Sequence, residues 1–196
     1  MAEPTADVLI IGAGASGAAL AWSLSETRMN VVCLEQGDWV DPGTLPGMTT
    51  EWEVRQVGDF NFSPNTRGRP EDYPVNDGDS PIAVSMFNAV GGSTILYAAH
   101  FPRFHPSDFR GRSLDGVADD WPIDYARLAP YYDTNARMMG VSGLAGDPAY
   151  PPKDVPLPPV PLGKLGITLA KGFTRLGWHW WPSDSAIATQ EYDGRG

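Results

Sequence analysis

The sequence predicts an α/β fold that opens on a single βαβ unit, and three observations predict it. Val8 to Ile11 is an apolar run short enough for a buried parallel strand. It breaks at Gly12-Ala13-Gly14-Ala15-Ser16-Gly17, after which Ala18 to Leu24 has helix-forming composition. A second apolar run, Val31 to Leu34, ends in Glu35. Strand, glycine turn, helix, strand and acid, in that order, read as a Rossmann-type dinucleotide-binding unit.

Each residue of the turn has a physical task. Gly12 permits the tight bend, Gly14 lets the backbone approach a pyrophosphate, and Gly17 lets the helix pack closely on the strand. The start of the helix offers free N–H groups and partial positive charge to phosphates. Glu35 follows Gly17 by 18 residues, near the usual offset of an acid that accepts ribose hydroxyls. A carboxylate there repels a 2′-phosphate, which disfavours NADP and leaves FAD or NAD. Ala21, small and four residues past Gly17, suits either.

Composition narrows the class. With 196 residues, 42% of them hydrophobic, and seven each of Trp, Tyr and Phe, the chain can bury a core. A formal charge of −10 argues against nucleic acid or an anionic membrane as partner, so an anionic cofactor must be held by backbone groups and helix ends. The one cysteine, Cys33, excludes an internal disulfide and a cysteine-based zinc site, and its place in the second strand predicts a buried, inert thiol. No Lys or Arg precedes Arg28 and glycines interrupt the apolar start, so the secretory pattern fails. No run approaches the ~20 apolar residues of a membrane span. The expectation is a cytoplasmic protein without a metal site.

Beyond Glu35 the regular pattern stops. Residues 37–81, rich in Gly, Pro, Asp and Asn, read as an extended loop. Ile82 to Val90 reads as a short strand running into a turn at Gly91-Gly92, and Ser93 to His100 as a short helix. Asp124 predicts an N-cap for a helix over Tyr125–Met139, with Leu128, Tyr131, Tyr132 and Met138 as its apolar stripe and Gly140 as its stop. Pro130 lies near the first turns, where a helix tolerates it better than at its centre. Seven prolines in 146–162 predict a stiff connector, and Leu165 to Leu176 a second amphipathic helix closed by Gly177. Only two strong strands occur, too few for a doubly wound sheet, so the chain reads as the N-terminal part of a longer protein. Its segments are 1–36 (βαβ unit), 37–81 (loop), 82–145 (second cofactor-contacting segment and helix) and 146–196 (connector and the start of a next segment).

A second glycine site, Ala89-Val90-Gly91-Gly92-Ser93-Thr94, offers another close backbone approach. From here the chain resembles the glucose–methanol–choline (GMC) family of FAD-dependent oxidoreductases, especially the branch containing gluconate and sugar dehydrogenases. The resemblance rests on GAGASG with Glu35 after it, VGGSTILY at 90–97, PRFHPSDF at 102–109, WPIDYARLAPYYDTNARMMGVSG at 121–143 and PSDSAIATQEYDGR at 182–195. It implies that Gly12, Gly14, Ala15, Ser16 and Gly17 cradle the FAD pyrophosphate. Glu35 would bind the adenosine ribose, with Gln36 on the adenine side. Gly91, Gly92, Ser93 and Thr94 would pass near the pyrophosphate and flavin, and Tyr97 near the isoalloxazine. Some relatives carry a flavin-linked histidine at the position of Leu96. Leucine cannot form that bond, so FAD is expected to be non-covalent.

The implied chemistry is oxidation of an alcohol or sugar CH–OH group by hydride transfer to the flavin, with the electron acceptor open. The family's histidine base lies in a C-terminal region, and His100, His105 and His179 do not match it. Each reads as packed or solvent-exposed, and no catalytic residue is assigned. Trp178, Trp180 and Trp181 read as core or interface packing, Asp119 and Asp120 as solvated loop charges. Ser93 lacks the G-x-S-x-G elbow of a nucleophile. Two rival readings stand beside this one: a fragment of an NAD-linked dehydrogenase, and a truncated, non-catalytic nucleotide-binding product. On the leading reading, the 196-residue chain alone should not turn over an alcohol, which a dye-reduction assay with added FAD checks directly.

Overall fold

The computed structural model describes residues 5–45, 47, 50–51, 54, 58–73 and 75–195. Chain contacts divide it into two compact units, residues 1–97 and 98–196.

The first unit begins with the βαβ element: β1 (Val8–Ile11), α1 (Ala15–Leu24) and β2 (Val31–Leu34). The strands pair in parallel, with Val8 opposite Val31 and Ile11 opposite Leu34. The ladder is extended at both ends, by Asp7 and Val8 N–H donating to the Asn30 carbonyl and by Gly12 N–H donating to that of Leu34. Both strand boundaries match the sequence reading, while α1 starts earlier, inside the glycine turn. Cys33 is exposed, contrary to expectation. The reason is that a two-stranded sheet with one helix has too few layers to cover both faces. Leu9, Ile11, Val32 and Leu34 are accordingly also open to solvent.

The remainder of this unit is irregular. Asp41 caps a 3₁₀ turn at Pro42–Thr44 by accepting the Gly43 N–H, and α2 is a single turn, Pro64–Arg67. The expected loop over 37–81 falls partly outside the described residues, at 46, 48–49, 52–53, 55–57 and 74. A small core of Phe60, Phe87 and Ala89 gathers Val40, Leu45, Ile95 and Leu96 around it. Two expectations are corrected here. Residues 82–90 form no strand: this stretch finds no ladder partner, Ile82 is 73% exposed, and Met86 N–H donates singly to the Phe62 carbonyl. The helix expected over 93–100 is a 3₁₀ turn at Gly92–Leu96, ended by the extended backbone of Tyr97.

The second unit is mainly helical. A 3₁₀ turn at Pro106–Arg110 runs into the short α3 (Gly111–Asp115), followed by α4 (Tyr125–Met139) and α5 (Gly163–Leu176). Asp124 caps α4 through the Arg127 N–H at 3.0 Å, and Gly140 ends it in the left-handed conformation. The inward face is Tyr125, Leu128, Ala129, Tyr132 and Ala136, a helical spacing. Tyr131 and Met138, expected on the apolar stripe, point outward, because they lie off that spacing. Gly177 closes α5 as anticipated.

The core here is built from Phe109, Val141, Leu157 and Ser142. The proline-rich connector forms no helix, turns at Pro148-Ala149, and is pinned at Leu157, whose N–H donates to the Val141 carbonyl while its own carbonyl accepts from Gly143. Ser142 and Ser185 exchange backbone hydrogen bonds on the other side. Lys153 and Asp184 pair in a buried position. No helix among the described residues is long and apolar enough to cross a membrane.

Because Asp124 satisfies a first-turn donor that nothing else meets, Asp124→Ala should cost about 1 kcal/mol, read as a lowered denaturant midpoint.

Candidate cofactor site

The site lies in the first unit, where β1 and β2 end. Gly12 turns the chain with φ +93°, a conformation that disfavours a side chain. Gly14 is the N-cap of α1 and contributes no side chain, so the first-turn N–H groups are left for an outside acceptor. A Cβ built on Gly14 would meet nothing within 4 Å, so the backbone is open on that side. Gly17 is the opposite case. A methyl group there would overlap the Gly12 carbonyl oxygen and come within 3.2 Å of Ile10 Cγ2. Only glycine lets the helix sit this close to the strand end.

Glu35 folds back beneath the turn. Its Oε2 accepts the Ala13 N–H at 2.6 Å, and its Oε1 accepts Gln36 N–H at 2.9 Å and Gly37 N–H at 3.0 Å. Hydrogen bonds from Gly37 and Ala13, with a smaller one from Gln36, hold this carboxyl below its usual range against the opposing effect of burial. The carboxylate has about four acceptor positions. Oε1 is filled by two donors, and Oε2 retains room for another.

The second glycine turn packs directly on the first. Gly91 N–H donates to the Ala13 carbonyl at 2.9 Å, and a Cβ on Gly92 would lie 3.2 Å from Gly14 Cα. Gly91 and Gly92 both have positive φ, at +102° and +60°. Of the residues expected at a cofactor, Gly12, Gly14, Gly17, Glu35, Gly91 and Gly92 are thus brought together, with Ala15 and Ser16 exposed on the first turn of α1. The side chains of three others engage elsewhere. Gln36 donates to the Glu71 carbonyl, Ser93 Oγ accepts the Phe87 N–H, and Thr94 Oγ1 donates to the Gly91 carbonyl. Tyr97 is 44% exposed.

Sequence reasoning missed two features. Gly37 is squeezed against the Asn88-Ala89 peptide, where any Cβ would overlap backbone, and Val90 N–H donates to the Asp38 carbonyl. A glycine two residues past the acid was a visible signal. The second is Arg67, which forms a buried pair with Asp72. Burial opposes ionisation of Asp72, but hydrogen bonding and charge from Arg67, with Asn88 and the Arg69 N–H, bring its carboxyl below the usual range.

The other singled-out residues lie in the second unit. His100 Nδ1 is 3.2 Å from Ser183 Oγ, His105 stacks on Tyr150, and His179 Nε2 is 2.9 Å from Asp147. Asp120 accepts from the backbone and hydroxyl of Ser113. Trp180 and Trp181 donate to Thr174 Oγ1 and the Leu144 carbonyl. Trp178 stacks on Phe173 but is 61% exposed, so it is surface rather than core.

The Glu35 hydrogen bonds give a pH dependence of definite sign. A folded-state value below the unfolded one means that the stabilisation is complete above the unfolded carboxylate range and is lost as pH falls through the folded value. Glu35→Gln should therefore be less stable than the unmodified chain at neutral pH. The gap should narrow below the ordinary glutamate range, as followed by denaturant midpoints across pH.

Residues 10–67 match the family model described as an NAD(P)-binding Rossmann-like domain. Among curated relatives, 2-methyl-1,2-propanediol dehydrogenase of Mycolicibacterium austroafricanum is 47% identical over 96% of this chain and 34% of its own length. The fructose dehydrogenase large subunit of Gluconobacter japonicus is 30% identical over 97% of this chain and 38% of its own. The chain thus spans about a third of the length of these relatives. Among solved structures, pyridoxine 4-oxidase from Mesorbium loti superposes with a TM-score of 0.58 and 23% identity, over 94% of this chain and 37% of that one, a likeness of fold. With its Rossmann-like start and relatives of this kind along nearly its whole length, the chain belongs to the glucose–methanol–choline family of oxidoreductases.

Proposed function

We propose that this chain is the FAD-binding part of an oxidoreductase that oxidises CH–OH groups of small alcohols or sugars. The observation that carries the proposal is the meeting of two glycine turns, Gly12–Gly17 and Gly91–Gly92, beside a carboxylate fixed by three backbone donors. Family membership favours FAD over NAD as the dinucleotide, and the names of the diol and fructose dehydrogenases favour a polyhydroxylated substrate. Bound FAD would supply the hydride acceptor that amino-acid side chains lack.

The chain's own residues bind and orient. The exposed first turn of α1, at Ala15, Ser16 and Gly17, offers N–H groups and the positive end of the helix to the pyrophosphate. Gly14 leaves space for that approach, and Gly92 allows the second turn to press against it. This suits a chain whose net charge is −10. Glu35 Oε2, which accepts Ala13 N–H, keeps a further acceptor position for a ribose hydroxyl, and Gln36 would lie on the adenine side. Gly91 to Thr94 would contribute to holding the pyrophosphate and flavin, and Tyr97 would contact the isoalloxazine. Leu96 has no nucleophilic atom with which to form a covalent flavin link, so FAD would be bound without one. We assign no proton-transfer group to the chain, so its part in the reaction is to hold the cofactor.

The purified chain should turn yellow with FAD and release all of it into the supernatant on acid precipitation. A chain that binds NAD and ignores FAD overturns the cofactor assignment, and flavin retained in the pellet overturns the non-covalent one. Glu35→Ala should weaken FAD about tenfold or more in a fluorescence titration, since it removes a charged acceptor.

A further inference from the structure

The glycine turn at 91–92 opens the short 3₁₀ turn Gly92–Leu96 and is directly preceded by no regular element. Its position depends on the irregular stretch before it, and one buried cluster grips that stretch. Arg67, at the end of α2, has a side chain with 0% exposure, and its partner Asp72 has 3%. Both Nε and Nη2 of Arg67 donate to the Asp72 carboxylate, a bidentate pairing. Its Nη1 donates to the carbonyls of Asn61 at 2.6 Å and Met86 at 3.0 Å. The guanidinium also lies 4.6 Å from the ring centre of Phe87. Asp72 in turn accepts from Asn88 Nδ2 at 3.0 Å. Three consecutive residues, Met86, Phe87 and Asn88, are thus held by one ion pair.

Those residues lead straight into the cofactor turn. The Asn88-Ala89 peptide lies against Gly37, Val90 N–H donates to Asp38, and Gly91 N–H donates to Ala13. We infer that Arg67 and Asp72 are positioning residues for the dinucleotide, acting through Asn88 to hold the Gly91-Gly92 turn against Gly14. This rests on the FAD reading above.

A buried pair can often be replaced by apolar residues of similar size without loss of folding, whereas breaking one partner leaves a buried charge. The discriminating variant of the full chain is therefore Arg67→Met with Asp72→Leu, compared with Asn88→Ala and with all three changes together. Fluorescence titration with FAD and thermal unfolding of the FAD-free protein are measured for each. The expected result is about a tenfold weaker FAD affinity for the paired variant and for Asn88→Ala, with cooperative unfolding retained. The triple variant should be little worse than either, because both act along one route. A purely structural role would give losses that simply multiply, which overturns the inference, as does unchanged affinity in the paired variant. If the paired variant does not fold, Asn88→Ala decides alone, and normal FAD affinity there overturns the inference. An unmodified chain that does not bind FAD overturns the cofactor reading itself, and the inference falls with it.

Discussion

The contact on which the first unit depends is the approach of Gly17 to the Gly12 carbonyl. Adding one methyl group would put two atoms in the same space. With hydrogen in that place, the start of α1 lies close to the end of β1. The open backbone of Gly14 then faces outward and Ala13 lies within reach of both Glu35 and Gly91. Any displacement of the helix would move Ala13 and Gly14 together. The hydrogen bond from Ala13 N–H to Glu35 and the one from Gly91 N–H to the Ala13 carbonyl would then be lost together.

The site is also polar in an economical way. Its two carboxylates are each satisfied by several hydrogen-bond donors. Glu35 is stabilised by three backbone N–H groups, and Asp72 by a guanidinium whose remaining donors go to carbonyls. Such satisfaction matters because a buried charge without partners costs several kcal/mol. It also leaves the acidic surface of the chain out of the binding problem.

What the sequence disclosed follows from how local each signal is. β1 and β2 were legible to the residue because a short apolar run between a glycine turn and an acid has few other readings. The ends of α4 were equally plain, since Asp124 and Gly140 are chemical stops that act on their immediate neighbours. The stretch 82–90 departs from the expected strand because local sequence does not supply the ladder partner that a strand needs. Cys33 was misread because burial is decided by layers, and β2 contains no record of what lies above it. The inward face of α4 was partly wrong for a related reason: Tyr131 and Met138 are apolar enough to be buried, but lie off the covered side. For the site, local spacing disclosed Gly12 to Gly17 and Glu35, while Gly91 and Gly92 stood out through family resemblance. Arg67, Asp72 and Asn88 carry no motif, because their relation exists only after the chain has folded.

The proline-rich connector of the second unit has a consequence for the unfolded chain. Between 146 and 162 the described backbone forms no helix and few backbone hydrogen bonds, two of them at Leu157. An ordinary segment so sparsely tied would lose too much conformational freedom on ordering. Seven prolines remove much of that freedom beforehand, because each has φ already fixed. The restricted unfolded chain thus adds to what the connector gains from its folded contacts at Leu157, Tyr150 and Lys153.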